Sequence, residues 1–108
     1  MKHIMEQIER VAGAIMHNVE EAEEHIEHAH KLKEVCRLEA DWYKDMANQH
    51  MNFNTSGKAL FDKLMNDLRS HSEMAQQMEA VISLYERWML AINRDAARVQ
   101  TMISMYNK

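Results

Sequence analysis

Apolar residues recur every three or four positions through nearly the whole chain, the spacing of one helix face. The first run is Ile4, Ile8, Val11, Ile15, Val19, Ala22, Ile26 and Ala29. The second is Leu38, Trp42, Met46, His50, Phe53, Gly57, Leu60, Leu64 and Leu68. The last is Met74, Met78, Val81, Tyr85, Trp88, Ile92, Ala96, Val99, Ile103 and Tyr106. Each stripe is about thirty residues long, roughly 45 Å at the helical rise. Each carries an extra four-residue step, so none is a strict coiled-coil seam. The pattern predicts an all-α fold, an antiparallel bundle of three long helices over residues 2–34, 38–69 and 71–106 of a single domain.

The breaks are unevenly marked. Ser70-His71-Ser72-Glu73 has the form of a capping box, in which serine and glutamate each satisfy the other's free amide. Asn52–Gly57 resembles a loop by composition, yet the stripe passes through it in phase. It therefore reads as a weakened helix in which Gly57 admits a close neighbour. The turn between the first two helices falls near Lys33–Arg37, where the stripe falters. The competing layout is two helices of nearly fifty residues joined at Asn52–Gly57.

Composition narrows the classes further. The 108 residues include no proline, two glycines and one cysteine, too little turn chemistry for a sandwich, barrel or Rossmann unit. A lone Cys36 excludes a disulfide framework and a thiolate zinc site within one chain, and reads as a small buried or half-buried hydrophobe in a reducing cytoplasm. Seventeen acidic against thirteen basic side chains give a charge of −4, against broad binding to nucleic acid or anionic lipid. Charges at Glu6, Glu9 and Arg10 interrupt any secretory h-region. Of the charge-free stretches, Val11–Val19 is too short to span a bilayer and Met46–Gly57 too polar. A cytoplasmic protein without a membrane partner is expected.

The apolar inventory exceeds what three helices can hide. Ile82, Leu84, Met89, Leu90, Met102 and Met105 lie beside the third stripe. At about 25 cal/mol per Å², leaving several of these wet forfeits several kcal/mol. Self-association into a homo-oligomer is the expected remedy, with Tyr85, Trp88, Met89 and Ile92 as the interface. Trp42 reads as another core or interface anchor.

Candidate chemistry concentrates in residues 17–30, which hold five glutamates and four histidines. His17, Glu21, Glu24 and His28 share a face roughly opposite the apolar stripe and are expected to meet water. Glu27 and His30 form the Glu-x-x-His pair used by di-iron bundles, but one chain cannot complete such a site. His50, on the second stripe, reads as a core histidine bonded to a carbonyl or carboxylate. Asp95 is its candidate partner, or else pairs with Arg98. Arg87, Arg94 and Arg98 line up on the polar face of the third helix as a modest anion-binding candidate. No phosphate loop, nucleophile elbow or His-Glu-x-x-His is present, so no enzyme and no cofactor are expected.

Residues Ala40–Asn52, Met78-Glu79-Ala80-Val81, Met105-Tyr106-Asn107-Lys108 and Val19-Glu20-Glu21-Ala22 together resemble small three-helix ferritin-like proteins of prophages of Gram-positive bacteria. The resemblance implies a three-helix layout and phage origin, with no assigned activity. It matches Glu20 to the first-helix ligand of ferritin-like bundles. Asn48 and Gln49 stand where those relatives carry acidic residues, and Phe53 where a second histidine is expected.

The expectation that follows is a non-enzymatic, self-associating interaction or structural protein, phage-derived and resident in the host-cell cytoplasm. One alternative is a viral antagonist of host defence, which blocks a protein or sequesters a nucleotide on its arginines. The other is a ferritin-like module holding a divalent transition metal through Glu20, Glu27, His30 or His50.

Overall fold

The structure, a computed structural model, describes residues 2–71 and 75–108. It is all-α: α1 spans Lys2–Leu32, α2 Arg37–Arg69 and α3 Ala75–Tyr106, with no strand among the described residues. The chain runs up, down and up in a rod 59 Å long and 18 by 15 Å across. Two separate helices, not one of fifty residues, precede Asn52–Gly57, and α2 continues unbroken through that segment.

The α1–α2 turn needs no left-handed residue. The amides of Val35 and Cys36 both donate to the Leu32 carbonyl, at 3.0 and 2.8 Å, and so satisfy the end of α1. Cys36 is extended (φ −147°, ψ 94°) and gives its carbonyl to Ala40 N–H, opening α2. Its thiol is exposed, not buried as expected, because a four-residue turn at the tip of the rod has nothing to cover it. Ser70 closes α2: its hydroxyl donates to the Asp67 carbonyl at 2.7 Å. The proposed reciprocal contact with Glu73 lies outside the described residues.

Helices α1 and α2 form the main pair. Asn18 meets His50, and Ile15 meets Gly57. That antiparallel register brings Ala22 level with Ala47 and Ala29 level with Ala40, all four fully buried, so small side chains let the two backbones run close. Towards the other end, Phe61, Leu64, Met65 and Leu68 fill the wider space beside Ile8 and Ala12. α3 lies parallel to α1 and inserts Met78, Tyr85, Met89, Ile92, Val99, Ile103 and Tyr106. It meets α2 more sparingly, leaving a cleft of 570 Å³ between them that Phe61, Met65, Arg69, Glu86, Met89 and Leu90 help to line.

The end of α3 is fastened to the α1–α2 turn. The Tyr106 hydroxyl donates to Asp41 Oδ1 at 2.5 Å, and Lys33 Nζ donates to the Tyr106 carbonyl at 2.6 Å. Lys33 and Arg37 both lie over the Tyr106 ring. The hydrogen bond from Tyr106 holds the Asp41 carboxyl below its ordinary range. Burial, reinforced by Asp41, pushes the Tyr106 hydroxyl up.

The second stripe is the part of the sequence pattern that the structure redraws. The buried side of α2 is Ala40, Ala47, Phe61, Leu64, Met65 and Leu68, with Tyr43 and Met51 partly covered. Leu38, Trp42, Phe53 and Leu60 are left outside. α2 carries two apolar faces about 100° apart, and the packing buries the one with alanines at the crossing because only small residues allow that separation.

Candidate functional site

Two features stand on the open side of the α1–α2 pair, away from α3. The first is the unpartnered face of α2. Leu38 is 85% exposed, Trp42 56%, Phe53 62% and Leu60 46%. On a helix these positions fall within one sector, together with Met46, Gln49 and Gly57. From Met46 to Gly57 the sequence holds no charged residue. A solvated helix ordinarily carries charge on its outer side, so this third of α2 is neutral as well as greasy.

The second feature is a polar cluster in the α1–α2 seam. α1 supplies Glu21 and His25, one turn apart, and α2 supplies His50. One potential ligand atom from each lies within 4.8 Å of the others, and all three residues are half-buried. His50 Nδ1 stands 2.9 Å from Asn18 Oδ1. An amide oxygen only accepts, so Nδ1 carries the proton and the Nε2 lone pair is left free. The His25 and His50 rings stack, with centroids 5.3 Å apart and planes 18° from parallel. Tyr43 packs on the other side of His25, meets the edge of His28 and touches Trp42. Glu21 lies 3.9 Å from the Nε2 atoms of both His17 and His25, beyond hydrogen-bond range. A cavity of 230 Å³ lined by Asn18, Met46, Gln49, His50 and Phe53 joins this cluster to the apolar face.

The residues singled out from sequence are dispersed. Tyr85, Met89 and Ile92 are buried within the single chain, and Trp88 is half-buried against the core. Their interface role is replaced by a core role, since α3 turns its most regular stripe inward and α1 occupies it. Burial also pushes up the Tyr85 hydroxyl, with Glu9 adding to the effect. Glu20, Glu27 and His30 sit on the α3 side of α1, whereas His50 faces α1 from the α2 side. The four are not gathered into one site. His30 Nε2 is taken up by the Met102 carbonyl at 3.0 Å, and Glu20 lies beside Trp88 and Asp95 on the edge of a small cavity. Arg87, Arg94 and Arg98 are exposed along the outside of α3. Arg98 is engaged by Glu23 across the seam and by Asp95 at 3.9 Å, which weakens its hold on any anion. Asp95 therefore serves Arg98, while the His50 partner is Asn18.

His25 and Asn18 escaped the sequence reading. Helical spacing could place Glu21 and His25 on one face, but only the register of α2 against α1 brings His50 to them. Glu21, expected in water, is half-covered for the same reason. No helix among the described residues is long and apolar enough to cross a membrane. Compared with known protein families, curated proteins and solved structures, the chain matches none.

Proposed function

We propose that this protein is a self-associating helical interaction module whose contact surface is the outer face of α2. The observation that carries the reading is the neutral apolar strip Leu38–Trp42–Phe53–Leu60, left wet by the single chain. The occupant is a second copy. Two copies of net charge −4 repel each other, and a contact through the uncharged middle of α2 adds no local like-charge opposition to that. A two-fold pairing of antiparallel α2 helices, with Gln49 of each copy level with Phe53 of the other, sets Trp42 of one opposite Leu60 of its partner. The Trp42–Leu60 contact then occurs twice, as an isologous interface requires, while Leu38 extends past it opposite position 64. Burying Trp42, Phe53 and Leu60 of both copies at about 25 cal/mol per Å² is worth several kcal/mol.

Light scattering on the full chain at micromolar concentration tests the reading. The expected result is a dimer or a higher even-numbered species. Trp42→Glu is expected to give monomers of unchanged helicity, because Trp42 contributes little to the monomer core. Leu90→Glu, exposed on α3, is expected to leave association intact. A wild-type chain that stays monomeric, or a Trp42→Glu variant that associates like wild type, refutes the proposal.

A further inference from the structure

We infer that Glu21, His25 and His50 bind one divalent transition metal ion, and that Asn18 is the positioning residue that prepares His50 for it. Two imidazoles and a carboxylate suit zinc, iron(II), cobalt or nickel, whereas calcium and magnesium prefer all-oxygen shells. An ion bound at about 2.0–2.2 Å holds its donors roughly 3–3.5 Å apart. The present separations are all within 4.8 Å, so the donors close by up to about 1–2 Å on binding.

Three observations distinguish this cluster from an ordinary polar seam. Its members gather without bonding one another: Glu21 stays 3.9 Å from His25, where a purely structural contact would be a hydrogen bond near 2.9 Å. With Asn18 Oδ1 accepting from His50 Nδ1, the imidazole is oriented by an outer-shell partner and its lone pair lies on Nε2. The ligands also come from two helices whose register is locked by the alanine-lined crossing, and the stacked rings fix His25 relative to His50. His17, 3.9 Å from Glu21 on the solvent side, stands within reach as a fourth ligand. The cavity beside His50 leaves a route for the ion and for water at any open position. All three ligands belong to one chain, so the site needs no residue of a second copy, although Gln49 and Phe53 beside it also lie in the proposed α2 contact.

Calorimetric titration of zinc chloride into the untagged full chain tests the assignment, with circular dichroism on every variant. The expected result is one ion per chain. Glu21→Gln, which keeps side-chain shape, and His50→Ala are each expected to weaken binding at least tenfold. Asn18→Leu is expected to weaken it about tenfold, while Asn18→Asp, which keeps the acceptor, retains it. His3→Ala, on the exposed first turn of α1, is expected to bind as wild type. The assignment is overturned by the absence of a one-to-one event, by wild-type binding in Glu21→Gln and His50→Ala, or by a His3→Ala loss as large as that of His50→Ala.

Discussion

The two glycines offer a sharp test of how α1 and α2 fit, because the same substitution should have opposite effects. Both lie in helix interiors, where replacing glycine by alanine ordinarily gains about 1 kcal/mol. At Gly13 a new methyl meets nothing within 4 Å, so Gly13→Ala is expected to keep the whole gain. At Gly57 the methyl would stand 2.9 Å from Ile15 Cγ1 and 3.3 Å from Cδ1. Ile15 is buried and β-branched, and its χ1 is nearly fixed on a helix, so Cγ1 cannot swing aside. The helices must part instead, at an overpacking cost of about 1–3 kcal/mol. Gly57→Ala is therefore expected to destabilise by about 1 kcal/mol net, roughly 2 kcal/mol below Gly13→Ala. For a chain of this size that is a melting-temperature difference of about 8 °C. Thermal unfolding followed by circular dichroism reads it, at one protein concentration throughout because self-association raises the melting point with concentration. A double-mutant cycle locates the cause: Ile15→Ala should cost less in the Gly57→Ala background than in wild type. Equal stabilisation by both glycine substitutions, or no coupling between positions 15 and 57, would refute the close helix crossing.

Two further outcomes follow from the packing. Tyr106 has a raised hydroxyl pKa, so the stability it contributes is intact below the ordinary tyrosine value of 10.0 and is lost as pH rises through its higher folded value. Ionisation there would also set a phenolate against Asp41. Melting temperature is expected to fall steeply above pH 10, in step with phenolate absorbance, and to fall less in Tyr106→Phe; identical profiles would remove Tyr106 from that role. Trp88 is half-buried, so Trp88→Ala is expected to cost about half the 3–5 kcal/mol of a fully buried tryptophan, measured by urea unfolding.

The legibility of the chain differed from helix to helix. On α1 and α3 the regular stripe is the buried one: Ile8, Ile15, Val19, Ile26, Tyr85, Ile92, Val99 and Ile103 are buried where periodicity puts them, while Leu84, Leu90 and Met105 beside the third stripe stay exposed. On α2 periodicity marks one stripe, Leu38 to Leu68, whereas the folded helix has two apolar faces. The more hydrophobic one, with Leu38, Trp42 and Phe53, is outside, and the one containing Ala40 and Ala47 is inside. Hydrophobicity ranks side chains by the gain from burial, but close helix packing selects by volume.

Local periodicity, the near absence of turn residues and the capping box determined by themselves that the chain is helical, that it breaks near residue 70, and that its grease exceeds its core, while the break near residues 33–37 stood beside a two-helix alternative that only the folded chain excludes. Those properties depend on neighbours within one or two turns, which the sequence shows directly. Tertiary structure alone decided which face of α2 stays wet, that Asn18 rather than Asp95 receives His50, and that His50 joins Glu21 and His25. Each of these depends on the sliding register between helices more than thirty residues apart in part of their contact. That register is set by the fit of alanines at one crossing and of Gly57 against Ile15, a matter of fractions of an ångström that no periodicity encodes.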